Sequence, residues 1–197
     1  AGEWGYRPAA GAVVNARSYT QIERRLTELS VINEIGRALG ATSDLEELLK
    51  VIHTQISRIM DTENLYIAMY DERSDTVEFP FSLDDGKRVQ WPSRPMGNAL
   101  TDYIIKTREP LLIKQDVVKI TKELGIEMIV IGEAPQCWLG VPMISADKVV
   151  GVIAVQSTQK TEIFDEDHQR LLSSIANQAA GTVANARAYL TLERRGG

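Results

Sequence analysis

Apolar residues recur along this chain with two different periods, and the places where the period changes divide it. Near the start, Tyr19, Ile22, Leu26 and Leu29 are spaced three, four and three apart, the stripe of a coiled-coil seam. Glu23, Arg24, Arg25 and Glu28 flank it. Beyond Leu29 the apolar positions step to Ile32, Ile35 and Leu39. The spacing therefore predicts one helix from Ala9 to about Leu39 that changes partner partway. Gly40–Asp44 reads as a stop and restart: Gly40 closes one helix, and Ser43 or Asp44 caps the next. Leu45–Met60 is predicted as a second helix, with Leu45, Leu48, Leu49, Ile52, Ile56 and Ile59 on one face.

The middle of the chain turns to strand chemistry. Asn64–Asp71 and Thr76–Leu83 are rich in strand formers around a turn at Arg73–Asp75, and so read as a hairpin. Asp85-Gly86 is a further turn signal, and the segment from Lys87 to Pro92 reads as a short third strand. Asn98–Thr107 is helix-like, Pro110–Lys114 a short strand, and Gln115–Leu124 a short helix ending at Gly125. Cys137–Ser145 and Lys148–Ser157 are two β-rich runs joined across Ala146–Lys148. Asp165–Arg195 is predicted as a long closing helix, with acidic residues at its positive N-terminal end. The order gives an α+β fold: a mostly antiparallel sheet with the long helices packed on one face.

Two distant segments repeat one another. Ala9–Arg25 aligns without gaps to Ala179–Arg195, with eleven of seventeen positions identical. Shared amphipathic periodicity would account for apolar matches, but not for a shared Asn, Arg, Tyr and Glu-Arg-Arg. The offset of 170 residues far exceeds the ~20–50 of a solenoid repeat and equals a domain with its connector. The first copy thus reads as the outgoing helix of a preceding, similar domain. The match stops at Pro8, so residues 1–8 are set aside as a leader of unclear origin, a processing remnant or a divergent segment. The expected division is a connector helix over 9–39, a domain over 40–185, and the start of an outgoing connector helix over 186–197.

Composition narrows the classes. Of the 197 residues, 44% are hydrophobic and 25% charged, which suits a globular domain with a sizeable core. The net charge of −5 argues against a nucleic-acid binder or contact with an anionic membrane, which need a positive face. No apolar run approaches the ~20 residues of a membrane span. The single cysteine, Cys137, has no internal disulfide partner, which suits a reducing compartment, and a cytoplasmic location is expected.

The stretch Cys137–Leu190 carries a more specific signal. Its Leu-Gly-Val-Pro strand is followed by a short hairpin and a Gly-Val-Ile strand. Phe164 and acidic residues then open a helix that runs through Ala-Asn-Ala-Arg. Together with Arg108–Ile113 and Ser30–Leu49, this ordered set resembles a GAF domain, over about Ser30 to Arg195. It looks closest to the GAF domains of bacterial multidomain sensors such as sensor histidine kinases. The resemblance implies a GAF/PAS-like sheet, a regulatory role, frequent tandem arrangement and frequent dimerisation. It also implies a ligand pocket between the sheet and the short helices, on the face away from the long ones. Phe79, Phe81, Trp91, Tyr103, Cys137 and Trp138 are the positions expected to reach it. Aromatic side chains give such a site large contact area at low entropic cost.

Catalytic and cofactor motifs are weak. The two histidines, His53 and His168, lie in separate predicted helices without metal-ligand spacing. There is no nucleophile elbow and no phosphate loop. Cys137 has Gln136 and Trp138 as neighbours, neither of which favours a thiolate. A bilin-attaching cysteine in this family is followed by histidine, and Trp138 stands there instead. The phytochrome Asp-Ile-Pro signature is missing, and family reductases of free methionine sulfoxide use several cysteines. Of the cyclic-nucleotide signature Asn-Lys…Phe-x₃-Asp-Glu, only Lys160 and Phe164 match. Bilin, haem, metal and cyclic nucleotide therefore receive no support, and no enzymatic activity is expected. The expected function is a sensory and relay domain of a larger signalling protein. It would bind a small molecule, contact adjacent domains of its own chain, and dimerise through the terminal helices. The alternatives are a ligand-free dimerisation module and, more weakly, a thiol redox sensor or enzyme built on Cys137.

Overall fold

The structure, a computed structural model, describes residues 44–129 and 132–196. The expected seam of Tyr19, Ile22, Leu26 and Leu29 lies outside them, as do the leader over 1–8 and the whole of the first connector over 9–39. The strands are β1 (Asn64–Asp71), β2 (Thr76–Asp84), β3 (Lys87–Val89), β4 (Arg94–Pro95), β5 (Leu111–Ile113), β6 (Cys137–Ser145) and β7 (Lys148–Ser157). The described helices are α1 (Leu45–Ser57), α2 (Leu100–Thr107), α3 (Val117–Glu123) and α4 (Glu166–Gly196). The strands form one seven-stranded sheet in the order β3-β2-β1-β7-β6-β5, with β4 added beside β2. Every pairing is antiparallel, as the α+β reading requires.

Helices cover both faces of this sheet. On one face Leu48, Leu49, Ile52 and Ile56 of α1, and Leu172, Ile175, Ala179 and Val183 of α4, pack on Leu65, Ile67, Leu139, Val141, Ile153 and Val155. The other face carries Tyr66, Ala68, Trp138, Val152 and Ala154 under Leu100, Ile104 and Ile105 of α2 and Val117 of α3. Because β1 and β7 are buried on both sides, they read as nearly unbroken apolar runs. Local chemistry fixes the helix starts. Asp44 caps α1 by accepting the Glu46 N–H at 3.0 Å, which satisfies one orphan donor. At the start of α4, Asp165 Oδ1 accepts the His168 N–H while His168 Nδ1 accepts the Asp165 N–H, both at 3.0 Å. This is the reciprocal geometry of a capping box, and it gives His168 a structural task. His53 meets Thr62 Oγ1 at 3.3 Å and stacks beside Phe81. Burial, helped by Arg88, lowers its pKa.

Two features depart from simple alternation. Ile67 pairs with Phe81 but Met69 pairs with Glu78, so Phe79 and Pro80 together oppose Ala68. This is a two-against-one bulge. Pro80, lacking an N–H, is suited to it. The bulge reverses which face the following residues take. β4 is the other: two residues long, it pairs Arg94 with Val77 and Pro95 with Thr76. So short a strand leaves no period in the sequence, and none was expected there.

Candidate functional site

The face covered by α2 and α3 contains a cavity of about 240 Å3. Its base is the sheet: Tyr66 from β1, Phe79 from β2, Trp138 from β6 and Gln156 from β7. One wall is the segment after β3, through Trp91, Pro92 and Arg94, and another is the start of α2, through Ala99, Leu100 and Thr101. Met128, Ile129, Glu133 and Pro135, from the connection between α3 and β6, close the remaining side.

Glycine makes room for the base. A Cβ on Gly140 would overlap the six-membered ring of Trp138, so the indole lies along the sheet over that position. Only a residue without a side chain permits so close an approach. Trp138 is 1% exposed. Tyr66, Phe79 and Trp91 form a packed triad, with centroids 5.4–5.9 Å apart in tilted and edge-on arrangements. Such geometry suits the ring quadrupoles and builds a rigid aromatic wall.

The polar groups are largely engaged within the protein. Tyr66 Oη and Thr101 Oγ1 share a hydrogen bond of 2.8 Å. Burial pushes the Tyr66 pKa up to about 12, against opposing contributions that include Thr101, Trp138 and Arg94. Arg94 grips Asp102 with two nitrogens, Nη1 to Oδ1 at 3.0 Å and Nη2 to Oδ2 at 2.9 Å. Asp102 Oδ2 also accepts the Ala99 N–H at 2.8 Å. Asp102 is fully buried, so its oxygens depend on these donors for their hydrogen bonds. The same carboxylate thus holds the first turn of α2 and fixes β4 against it. Glu133 accepts from Gln159 Nε2 at 3.0 Å.

Of the residues expected at a pocket, Trp91 and Trp138 line this cavity, and so does Phe79. Tyr103 packs in the same apolar cluster without lining the cavity. Phe81 and Cys137 require correction, since both sit in the cluster under α1 and α4. The bulge at Phe79-Pro80 turns Phe81 to that face. Strand alternation puts Cys137 on the face opposite its neighbour Trp138. Cys137 Sγ lies 3.3 Å from the Lys160 carbonyl oxygen, and burial raises the thiol pKa. The sheet separates that sulfur from the cavity. Sequence reasoning missed Tyr66, Arg94, Thr101 and Glu133. Asp102 had a local signature, an acid three residues past the N-cap. Arg94 had none, because its role depends on a tertiary pair. Among the described residues no group of three or more His, Cys, Asp or Glu could hold a metal ion. No described helix is long and apolar enough to cross a membrane.

This topology and its match to a family model define the class. The model of the GAF domain matches residues 42–184, and the chain belongs to that family. The fold resembles the GAF domain of an Acinetobacter phosphoenolpyruvate-protein phosphotransferase, with TM-score 0.67, 23% identity, and coverage of 81% of this chain and 94% of that one. It also resembles the free methionine-R-sulfoxide reductase of Neisseria meningitidis in complex with its substrate. There the TM-score is 0.64 and the identity 15%, over 82% of this chain and 91% of the other. A third likeness is to residues 122 to 287 of a methyl-accepting chemotaxis protein, with TM-score 0.64 and 13% identity over 79% and 98%. At these identities the likeness is one of fold. A comparison with curated proteins finds no match.

Proposed function

We propose that this GAF domain is a sensory and relay module of a larger bacterial signalling protein. That protein would be of the sensor histidine kinase type, cytoplasmic in this region, with a second similar domain in tandem. The domain takes a small molecule into the cavity and passes its presence to the terminal helices, which also join two copies of the chain. The observation that carries this reading is the cavity itself: a preformed aromatic recess between the sheet and α2, on the face opposite α4. Its size lies just below the ~300–1,000 Å3 of most ligand sites, which suits a compact molecule.

Two further observations support it. The likeness to domains of a phosphotransferase and a chemotaxis protein agrees with a regulatory part rather than a freestanding enzyme. Residues of the repeated phrase are those that dock α4: Ala179, Ala180, Val183 and Ala186 are buried, and Arg187 donates to the Tyr70 carbonyl at 2.7 Å. Ala9, Ala10, Val13, Ala16 and Arg17 repeat the same residues, as the outgoing helix of a similar domain would. No chemistry is assigned to Cys137, since the sheet stands between it and the cavity. The resemblance to a reductase structure therefore does not carry a catalytic reading.

Thermal denaturation in the presence of fractionated small-molecule extract tests the proposal. A ligand at a hundred times its Kd stabilises the native state by about 2.7 kcal/mol, a shift of a few degrees. Ala99→Phe, which fills the cavity from its wall, is expected to abolish that shift while retaining the native circular dichroism spectrum. If no fraction shifts the wild type, the ligand-free dimerisation module is the better reading.

A further inference from the structure

We infer that the cavity and a second recess beside it are two parts of one ligand site, with Trp91 as the movable partition between them. The joined site takes an elongated, mainly apolar molecule that carries a hydroxyl or carbonyl group along its length. This rests on the cavity being a ligand site, as proposed above, and goes beyond the compact guest that the closed cavity admits. The second recess, of about 550 Å3, lies at the β3 edge of the sheet, where Pro80, Arg88, Val89 and Gln90 line it together with Phe79 and Trp91. The last two line the first cavity as well. Their edge-on contact, with ring centroids 5.7 Å apart, therefore stands between the two spaces.

Ser82 supplies the polar group. It is 0% exposed, and among the described residues its Oγ is the one buried side-chain oxygen or nitrogen that no protein group pairs with. Ser82 pairs with Tyr66 on one side and Val89 on the other, and directly paired residues share a face of the sheet. Ser82 thus lies on the cavity face, between those two. Trp91 starts from the β3 side and brings its ring to 5.4 Å from that of Tyr66, which carries the indole across the position of Ser82. The closed arrangement therefore keeps a hydroxyl buried and unpaired, which is unfavourable. The indole itself is lightly held. Trp91 stands in residues 90–93, outside any strand or helix, and its ring contacts are those with Tyr66 and Phe79, each modest in strength. Swinging the ring aside joins the two spaces and gives the Ser82 hydroxyl to a bound carbonyl or hydroxyl. A ligand that makes this bond favours the open arrangement by that difference.

Thiol labelling of the native protein tests the partition. Ser82→Cys exchanges one small buried group for another and puts a thiol beneath the indole. Cys137, equally buried but on the opposite face of the sheet, is the reference within the same molecule. Both react with benzyl methanethiosulfonate over a urea series below the unfolding transition, and peptide mass spectrometry reads each rate separately. Cys137 is expected to react through global unfolding, with the full urea slope. The introduced thiol is expected to react about tenfold faster or more without urea and to depend little on urea, as local opening does. Adding Trp91→Ala is expected to speed it about tenfold further relative to Cys137. Equal rates and slopes at the two thiols overturn the inference, as does a Trp91→Ala effect shared equally by both. Octanol, long enough to bridge the two spaces, is expected to slow the introduced thiol several-fold relative to Cys137, and butanol is not. No protection by octanol, or equal protection by butanol, overturns the elongated ligand. The urea and Trp91→Ala comparisons use no ligand, so their failure returns the site to the closed cavity and leaves the reading above standing. Ligand-induced stabilisation that persists in Ala99→Phe removes that reading whatever the thiol rates.

Discussion

Asp102 has no solvent contact, so its carboxylate oxygens are served by Arg94 and the Ala99 N–H. The Arg94 side chain is only 23% exposed, and the pair is bidentate, unlike a surface ion pair worth little. Removing one member of such a pair leaves the other buried and uncompensated. Arg94→Met is therefore expected to lower the unfolding free energy by about 3–5 kcal/mol, read from urea denaturation. The double variant Arg94→Met with Asp102→Asn recovers much of that loss, because the asparagine needs no counter-charge and its carbonyl can still accept from Ala99. A loss in Arg94→Met of under about 1 kcal/mol, the size of a surface pair, would show that solvent already serves Asp102.

At the scale of elements, the β6–β7 hairpin was the plainest feature of the sequence. Two β-rich runs flank a two-residue connection, Ala146-Asp147, with Ser145 paired to Lys148. Both connecting residues have positive φ, 49° and 64°, as a type I′ turn demands. Asp147 is further held by Arg108, which donates to its carbonyl and its carboxylate, both at 2.9 Å. Ala146 is strained without compensation, since a left-handed conformation costs a Cβ-bearing residue roughly 1–2 kcal/mol. Ala146→Asn is expected to stabilise the domain by about 0.5–1 kcal/mol, seen as a higher urea midpoint with unchanged slope. The same hairpin shows what the sequence makes legible. Strands β1, β6 and β7, and the turns between hairpin arms, follow from composition and local turn chemistry. The pocket was legible only where alternation ran undisturbed, as for Trp138, or where a large aromatic stood in a connection, as for Trp91. Phe81 was misplaced because a bulge costs one residue of phase and leaves no signature beyond Pro80. Arg94 and β4 were invisible because two residues have no period, and their meaning comes from Asp102 and Val77 across the fold.

For the molecule as a whole, the question is how a ligand in the cavity reaches α4, which packs on the opposite face. A hydrogen-bonded route passes around the edge of the sheet. Arg94 in the cavity wall pairs with Val77 on β2, and the Met96 N–H donates to the Asp75 carbonyl at 2.9 Å. Tyr70 Oη donates to Asp75 Oδ1 at 2.7 Å. The Tyr70 carbonyl accepts from Arg187 of α4 at 2.7 Å, and Asp71 and Glu78 stand 3.9 Å from the same guanidinium. Arg187 belongs to the repeated phrase, so its clasp on the β1–β2 hairpin is a point where helix position and cavity wall can bias one another. Spatial continuity alone does not establish coupling, but hydrogen exchange measures it directly. Arg187→Ala is expected to speed exchange in the hairpin over 70–78 and also at Met96 and the first turn of α2, by about twofold to thirtyfold. Lys114→Ala, which removes the Lys114–Glu166 ion pair of 2.8 Å at the other end of α4, serves as the comparison and leaves those amides unchanged. If the faster exchange in Arg187→Ala stops at the hairpin and α4, the clasp only anchors the helix. If Lys114→Ala produces the same pattern, the effect is general loosening of α4. In either case the signal would have to leave the cavity by another route.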